Sequence, residues 1–148
     1  MNQHIEQRES EGIVILDLKG PLTLGHLDLE LRDRLKALHN AGKVNIILNL
    51  KEVTDIDSTG LGTLVFGLAR LRSSHGRLAL LNVNRSHMKL FLLTRLAIAF
   101  EFFEDEQDAV DSFFPDRALQ HFDVLEFVQR GSAANPESSV RNPATLLE

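Results

Sequence analysis

The chain contains no cysteine. That excludes disulfides, thiolate nucleophiles and cysteine-bound metals in one step, and it fits a reducing compartment. Positive charge is not in excess either: the formal net charge is -5, and no run of Lys or Arg stands out. General affinity for nucleic acid or an anionic membrane surface is therefore not expected. No stretch supplies the roughly 20 uninterrupted apolar residues of a membrane span. The most apolar segment, Met88 to Phe103, is broken by Lys89, Arg95 and Glu101. The first residues, Met1-Asn2-Gln3-His4-Ile5-Glu6, are polar and lack the apolar region of a secretory leader. These absences give the expectation of a cytoplasmic protein with no membrane and no nucleic-acid partner.

What is present is ordinary for a soluble domain: 43% hydrophobic and 25% charged residues over a length of 148, enough for one domain with a real core. Ile13-Val14-Ile15-Leu16-Asp17-Leu18 is β-rich and partly alternating, a strand ended by Gly20-Pro21. The Ile5 region precedes it and can pair with it through a turn near Ser10-Glu11-Gly12. Leu24, Leu27, Leu31, Leu35 and Leu38 step by three or four, one face of a helix that stops at Asn40-Ala41-Gly42. Val44 to Leu50 is short, apolar and β-branched, as in a strand covered on both faces.

Leu61, Leu64, Val65, Leu68 and Leu71 then repeat at helical spacing up to Ser73-Ser74-His75-Gly76. Arg77 to Leu81 is another strand, Ser86 to Thr94 a third helix, and Glu101-Phe102-Phe103 a last short strand. Asp105-Glu106-Gln107-Asp108 puts acids in the first turn of a final helix ending near Phe114-Pro115. Helices and strands alternating at short spacing predict an α/β fold with a mostly parallel sheet. Past Pro115 the pattern breaks. Residues 1–115 are expected to form the domain and 116–148 a tail, with an apolar island at 122–128 and a disordered Ser/Ala/Asn/Pro-rich stretch from Gly131 to Pro143. The island is expected to dock on the domain.

Between the second and third predicted elements of the parallel layer lies Asp57-Ser58-Thr59-Gly60-Leu61-Gly62. It follows a strand and opens a helix, where unbonded N–H groups and the dipole favour negative charge. A hydroxyl there can be a cap, a nucleophile or a phosphate acceptor. A cap needs one hydroxyl, not a preceding Asp and a following Gly-x-Gly. Two glycines in a first turn are helix-poor, about 1 kcal/mol each against alanine. They fit close approach of another backbone, or close packing against the sheet.

Other constellations are weaker. A dinucleotide fingerprint needs a glycine where Val65 stands. A P-loop needs Gly-Lys-Ser/Thr, and a hydrolase elbow needs glycine where Ile56 stands. Asp55 and Asp57 alone make a poor metal site. The histidines at 4, 26, 39, 75, 87 and 121 have no zinc-ligand spacing and read as surface or cap residues. Neither a metal nor a cofactor is expected. Phe91, Phe100, Phe102, Phe103, Phe113 and Phe114 fit a core, and an exposed subset would mark a partner surface.

The order strand, helix, strand, Asp-Ser-Thr-Gly-Leu-Gly, helix, strand, helix resembles the STAS domain of bacterial anti-sigma factor antagonists. The likeness runs over about residues 4 to 114 and is most specific from Asn49 to Gly62, with Gly20, Gly76-Arg77-Leu78 and Val83 to Thr94 as supporting pieces. It implies a mixed, mostly parallel sheet of four to five strands with about four helices mainly on one side. It implies a non-enzymatic binding module whose phosphoacceptor is Ser58, with Thr59 as second choice. Asp57, Ser58, Thr59, Gly60, Leu61 and Gly62 would form the recognition loop. The implied partners are an anti-sigma factor that is also a serine kinase, and a PP2C-type phosphatase. A weak homodimer is a further expectation. Unmodified, such a protein binds the kinase and a sigma factor is released. One departure stands out: many members carry Gly-Glu-Leu-Asp after the early strand, where this chain has Gly20-Pro21-Leu22-Thr23. Two rival readings use the same loop differently: a static contact in a scaffold or accessory subunit of a stress-signalling or lipid-transport complex, and a small-ligand or nucleotide sensor.

Overall fold

The computed structural model describes residues 4–117 and Val128. Strand β1 (His4–Ser10) turns through Glu11-Gly12 into β2 (Ile13–Leu22). Both turn residues have positive φ, 53° and 84°, the type I′ geometry whose twist matches an antiparallel hairpin. Helix α1 (His26–Asn40), strand β3 (Asn45–Ile56), helix α2 (Ser58–Arg72), strand β4 (Arg77–Leu81), helix α3 (Arg85–Leu93), a 3-10 turn (Leu96–Ile98), strand β5 (Glu101–Phe103) and helix α4 (Glu106–Asp111) follow. The five strands lie in sequence order. The first pair is antiparallel and the rest are parallel, which is the expected mixed sheet.

Alternation along the strands builds two cores. Val14, Leu16, Leu18, Ile46, Leu48, Leu50, Leu78 and Leu80 face the larger one, shared with the leucines of α1 and α2 and with Met88 and Phe91 of α3. Ile13, Ile15, Ile47, Ala79 and Leu81 face the other side, where Ala109 and Val110 of α4 cover them. Helices therefore sit mainly on one side. The late phenylalanines are core residues: Phe91, Phe100 and Phe102 meet edge to face at centroid separations of 5.2–6.4 Å, and Phe103, Phe113 and Phe114 pack on the smaller core. Also on this side, Arg8 on β1 bridges Asp17 on β2 and Glu106 on α4.

Several expectations need correction. β2 does not end at Gly20-Pro21 but runs on to Leu22. A register shift against β3 between Gly20 and Leu22 lets the strand pass a proline, because a bulge is a place where no ladder N–H is required. Leu24 is outside α1 and 78% exposed. α4 stops at Asp111, short of Phe114-Pro115. His87 is not a surface residue: it is buried, and burial pushes its imidazole below the ordinary value while the Asp55 charge opposes that. The stretch from Gly131 to Pro143, for which disorder is expected, lies outside the described residues. So does most of the 122–128 island. Val128 is helical and half-buried against the larger core.

Candidate functional site

β2 and β3 run parallel, so their C-terminal ends emerge together, Leu22 opposite Ile56. Crevices beyond the carboxyl ends of parallel strands are where α/β sheets place ligands. Here the two exits are laced to each other. Asp57 N–H donates to Leu22 O at 3.4 Å. One Asp57 carboxylate oxygen accepts from Gly60 N–H at 2.9 Å, and the other accepts from Leu24 N–H at 3.1 Å. Asp57 is thus the N-cap of α2 and the clasp that holds the β2–α1 connection.

That settles which side chain caps the helix. The cap is Asp57, so neither Ser58 nor Thr59 is needed for it. Ser58 is exposed and Thr59 half-buried. Gly60 serves the fold from below: a Cβ there would lie 2.0 Å from Leu22 O, so the close packing that calls for this glycine is intramolecular. Leu61 is 7% exposed and belongs to the larger core. Gly62 is exposed, and a Cβ there meets nothing within 4 Å. Of the six loop residues, Ser58 and Gly62 face outward, Asp57 and Thr59 are half-buried, and Gly60 and Leu61 are buried. Continuing at helical spacing, Val65 and Ala69 are exposed too, so α2 presents an uncharged small-residue face running back from Ser58. Leu24 stands beside it through its bond to Asp57. The leucine spacing reads Leu24 as a helix position, although Gly25, which precedes α1 with φ 151°, is the signal that the helix begins after it.

The carboxyl of Asp57 is held below the usual carboxylate range by the Gly60 N–H first and the Leu24 N–H second. A depressed acid contributes stability above its unfolded value, near 3.9, and loses it as pH falls through the folded value. Asp57→Asn keeps a capping oxygen whereas Asp57→Ala keeps none. We expect the alanine variant to melt lower than wild type at neutral pH and the asparagine variant to stay close. The gap between wild type and Asp57→Asn should narrow below about pH 4. Thermal melts of the three across that window check this.

A second device sets α2 against α1. Thr63 Oγ1 donates to Asp28 Oδ1, and Arg32 donates to Thr63 Oγ1 at 2.8 Å. Asp28 is 2% exposed and Thr63 fully buried. Each is a polar residue on the apolar arc of its helix, a signal the sequence reading passed over. Thr63→Val keeps the shape and strands the Asp28 oxygen, so we expect a loss of about 1–3 kcal/mol in denaturant unfolding. Among the described residues no cluster of His, Cys, Asp or Glu could hold a metal ion. None of their helices is long and apolar enough to cross a membrane. Asp55 is exposed, and the Asp57 carboxylate is engaged by the Gly60 and Leu24 N–H groups.

Known proteins share this frame. The "Anti-sigma F factor antagonist" of Paenibacillus polymyxa is 26% identical over 110 residues, 74% of this chain and 94% of the relative. A crystal structure from Thermotoga maritima, provisionally assigned as an anti-sigma factor antagonist, superposes with a TM-score of 0.69 at 26% identity, over 73% of this chain and 92% of that one. The anti-sigma factor antagonist SpoIIAA has the same fold at 23% identity. Its unphosphorylated form gives a TM-score of 0.60, covering 74% of this chain and 97% of its own. Its phosphorylated form, from Bacillus, gives 0.61, covering 74% and 99%. The relatives so named are regulatory proteins. The STAS domain model matches residues 4–109, from the first strand into the last helix and through the whole Asp57 clasp, and the chain belongs to the STAS domain family.

Proposed function

We propose that this chain is an anti-sigma factor antagonist whose docking is gated by phosphorylation of Ser58. The observation that carries the reading is the release of the Ser58 hydroxyl from capping. Asp57 does the helix's work, and Ser58 is left exposed at the first turn. A kinase active site can reach it. Its oxygen attacks the γ-phosphorus of ATP, its proton passes to a base on the kinase, and ADP leaves. The product sits at the positive end of a 15-residue helix, which tolerates the added charge of about -1.5 to -2 without refolding. The relative SpoIIAA is known in both states, which supports the same chemistry here.

In this reading the chain is the substrate of a serine kinase that is also the anti-sigma factor, and a PP2C-type phosphatase restores the hydroxyl. The unmodified, uncharged face of α2 binds the kinase, and the sigma factor is released. Mass spectrometry after incubation with that kinase and ATP tests it. One phosphoryl group on wild type and none on Ser58→Ala is the expected result. Retained modification in Ser58→Ala, moved to Thr59, would shift the acceptor by one residue. Retained modification elsewhere would remove the switch from this loop.

A further inference from the structure

We infer that the α1–α2 ridge next to the Ser58 face is a docking site for an acidic segment of the protein partner. The inference rests on the reading above for the identity of that partner, but the patch itself stands on geometry. Phe66 of α2 lies under three cations. The Arg32 guanidinium is 4.6 Å from the ring centroid, Arg70 is 5.7 Å away, and the Lys36 ammonium is 5.9 Å away. Arg32 takes the close position that a cation–π contact needs. The other two are at its outer limit and gain little from the ring.

Several cations elsewhere are paired with carboxylates, and others, Arg72 among them, meet none among the described residues. Arg8, Arg34, Lys43, Arg77 and Arg117 each meet a carboxylate. Arg32, Lys36 and Arg70 meet none among the described residues. Their polar partners there are the Thr63 hydroxyl for Arg32 and, at 3.4 Å, the Asn40 amide oxygen for Arg70. The Arg70 Nε is buried with no hydrogen-bond partner among the described residues. Arg32 and Lys36 are also at i, i+4 spacing, where like charges repel. A chain of net charge -5 has thus gathered three cations around one aromatic; the buried Asp28 reaches Arg32 through the Thr63 hydroxyl they share, and Lys36 and Arg70 pair with no carboxylate among the described residues. Charge complementarity fixes the occupant's chemistry: carboxylates, with an apolar group to lie on Phe66. Phe66 is eight residues along α2 from Ser58, about 12 Å by helical rise. One partner interface of ordinary size spans both.

The test uses the full chain, isotope-labelled, titrated with octaglutamate. Amide shifts should centre on residues 32, 36, 66 and 70, should fade as ionic strength rises, and should vanish in Lys36→Glu/Arg70→Glu. Octalysine should leave these signals in place. Lys36→Gln, at an exposed position, is the milder variant if the double one loses its dispersed spectrum, and it should weaken binding severalfold. Against the anti-sigma kinase, the double variant should slow association about tenfold. No octaglutamate shifts at the patch, or shifts spread over every surface cation, would overturn the inference. Tighter binding of a single-stranded oligonucleotide there would reassign the patch to nucleic acid. Kinase binding lost in Ser58→Asp but untouched by Lys36→Glu/Arg70→Glu would remove the patch and leave the switch standing. The converse would remove the switch and leave the patch.

Discussion

Gly60→Ala is expected to destabilise the domain by about 2 kcal/mol or more, while Gly62→Ala, two residues on, is expected to be neutral or stabilising by up to about 1 kcal/mol. Propensity alone predicts the same gain for both, because alanine is the better helix former. Contact decides the difference. A Cβ on Gly60 would sit 2.0 Å from Leu22 O, 3.0 Å from Leu22 C and 3.1 Å from Leu22 Cγ. Two of those atoms are backbone, fixed by the β2–β3 ladder, and cannot rotate away. The start of α2 must retreat instead. That retreat pulls on Gly60 N–H and on the Asp57 carboxylate that also holds Leu24. At position 62 the methyl enters open space. Urea unfolding of the two variants beside wild type measures the contrast. Equal stability of Gly60→Ala and Gly62→Ala would contradict the close packing of α2 on Leu22. Gly62→Ala carries a second readout, since its methyl lies on the exposed face. A partner seated there would bind less tightly although the domain became more stable.

The legibility of this fold in its sequence followed how completely each element is covered. β4 and β5 have the bounds that the sequence gives, because short apolar runs stand between turn residues: Gly76 before Arg77, and the turn after Leu81. β3 extends six residues past Leu50. The reason is that β4 ends opposite Asn49. Beyond that point β3 has a neighbour on one side only, and Lys51, Glu52, Thr54 and Asp55 are exposed. The apolar signal fades where the covering strand stops, not where the strand stops. At the loop, the sequence pattern marks Asp57 to Gly62 as a strand-to-helix junction but leaves open what its hydroxyls and glycines are for. The capping answer is local, Asp57 to Gly60 N–H, but the reason for Gly60 and the clasp on the β2–α1 connection depend on Leu22 and Leu24, more than thirty residues away in the chain. The Asp28–Thr63 contact was equally remote. No local pattern reveals that a polar residue on one apolar helix face meets its partner on another.

Ser58→Asp is expected to weaken binding to the anti-sigma kinase by about a hundredfold or more, while Ser58→Ala stays within a few-fold of wild type and cannot be phosphorylated. The face that Ser58 shares with Gly62, Val65 and Ala69 carries no charged side chain. A partner shaped to it has a site for a hydroxyl, not for an anion. Seating an unpaired charge in an interface costs about 2–5 kcal/mol, and each 1.4 kcal/mol is tenfold in affinity, which gives the hundredfold figure near 3 kcal/mol. Aspartate adds one negative charge where phosphate adds about -1.5 to -2, so the variant sets a lower bound on the natural effect. The same substitution should leave the melting temperature unchanged or slightly raised, because an acid in the first turn of α2 interacts favourably with the helix dipole. That opposition separates a switch from a folding defect: affinity falls while stability holds. Calorimetric titration of each variant with the kinase, beside its thermal melt, reads both quantities. Wild-type affinity in Ser58→Asp would mean that the hydroxyl is not at the interface. Lost affinity with a lowered melt would mean that the loop, rather than the charge, had been damaged.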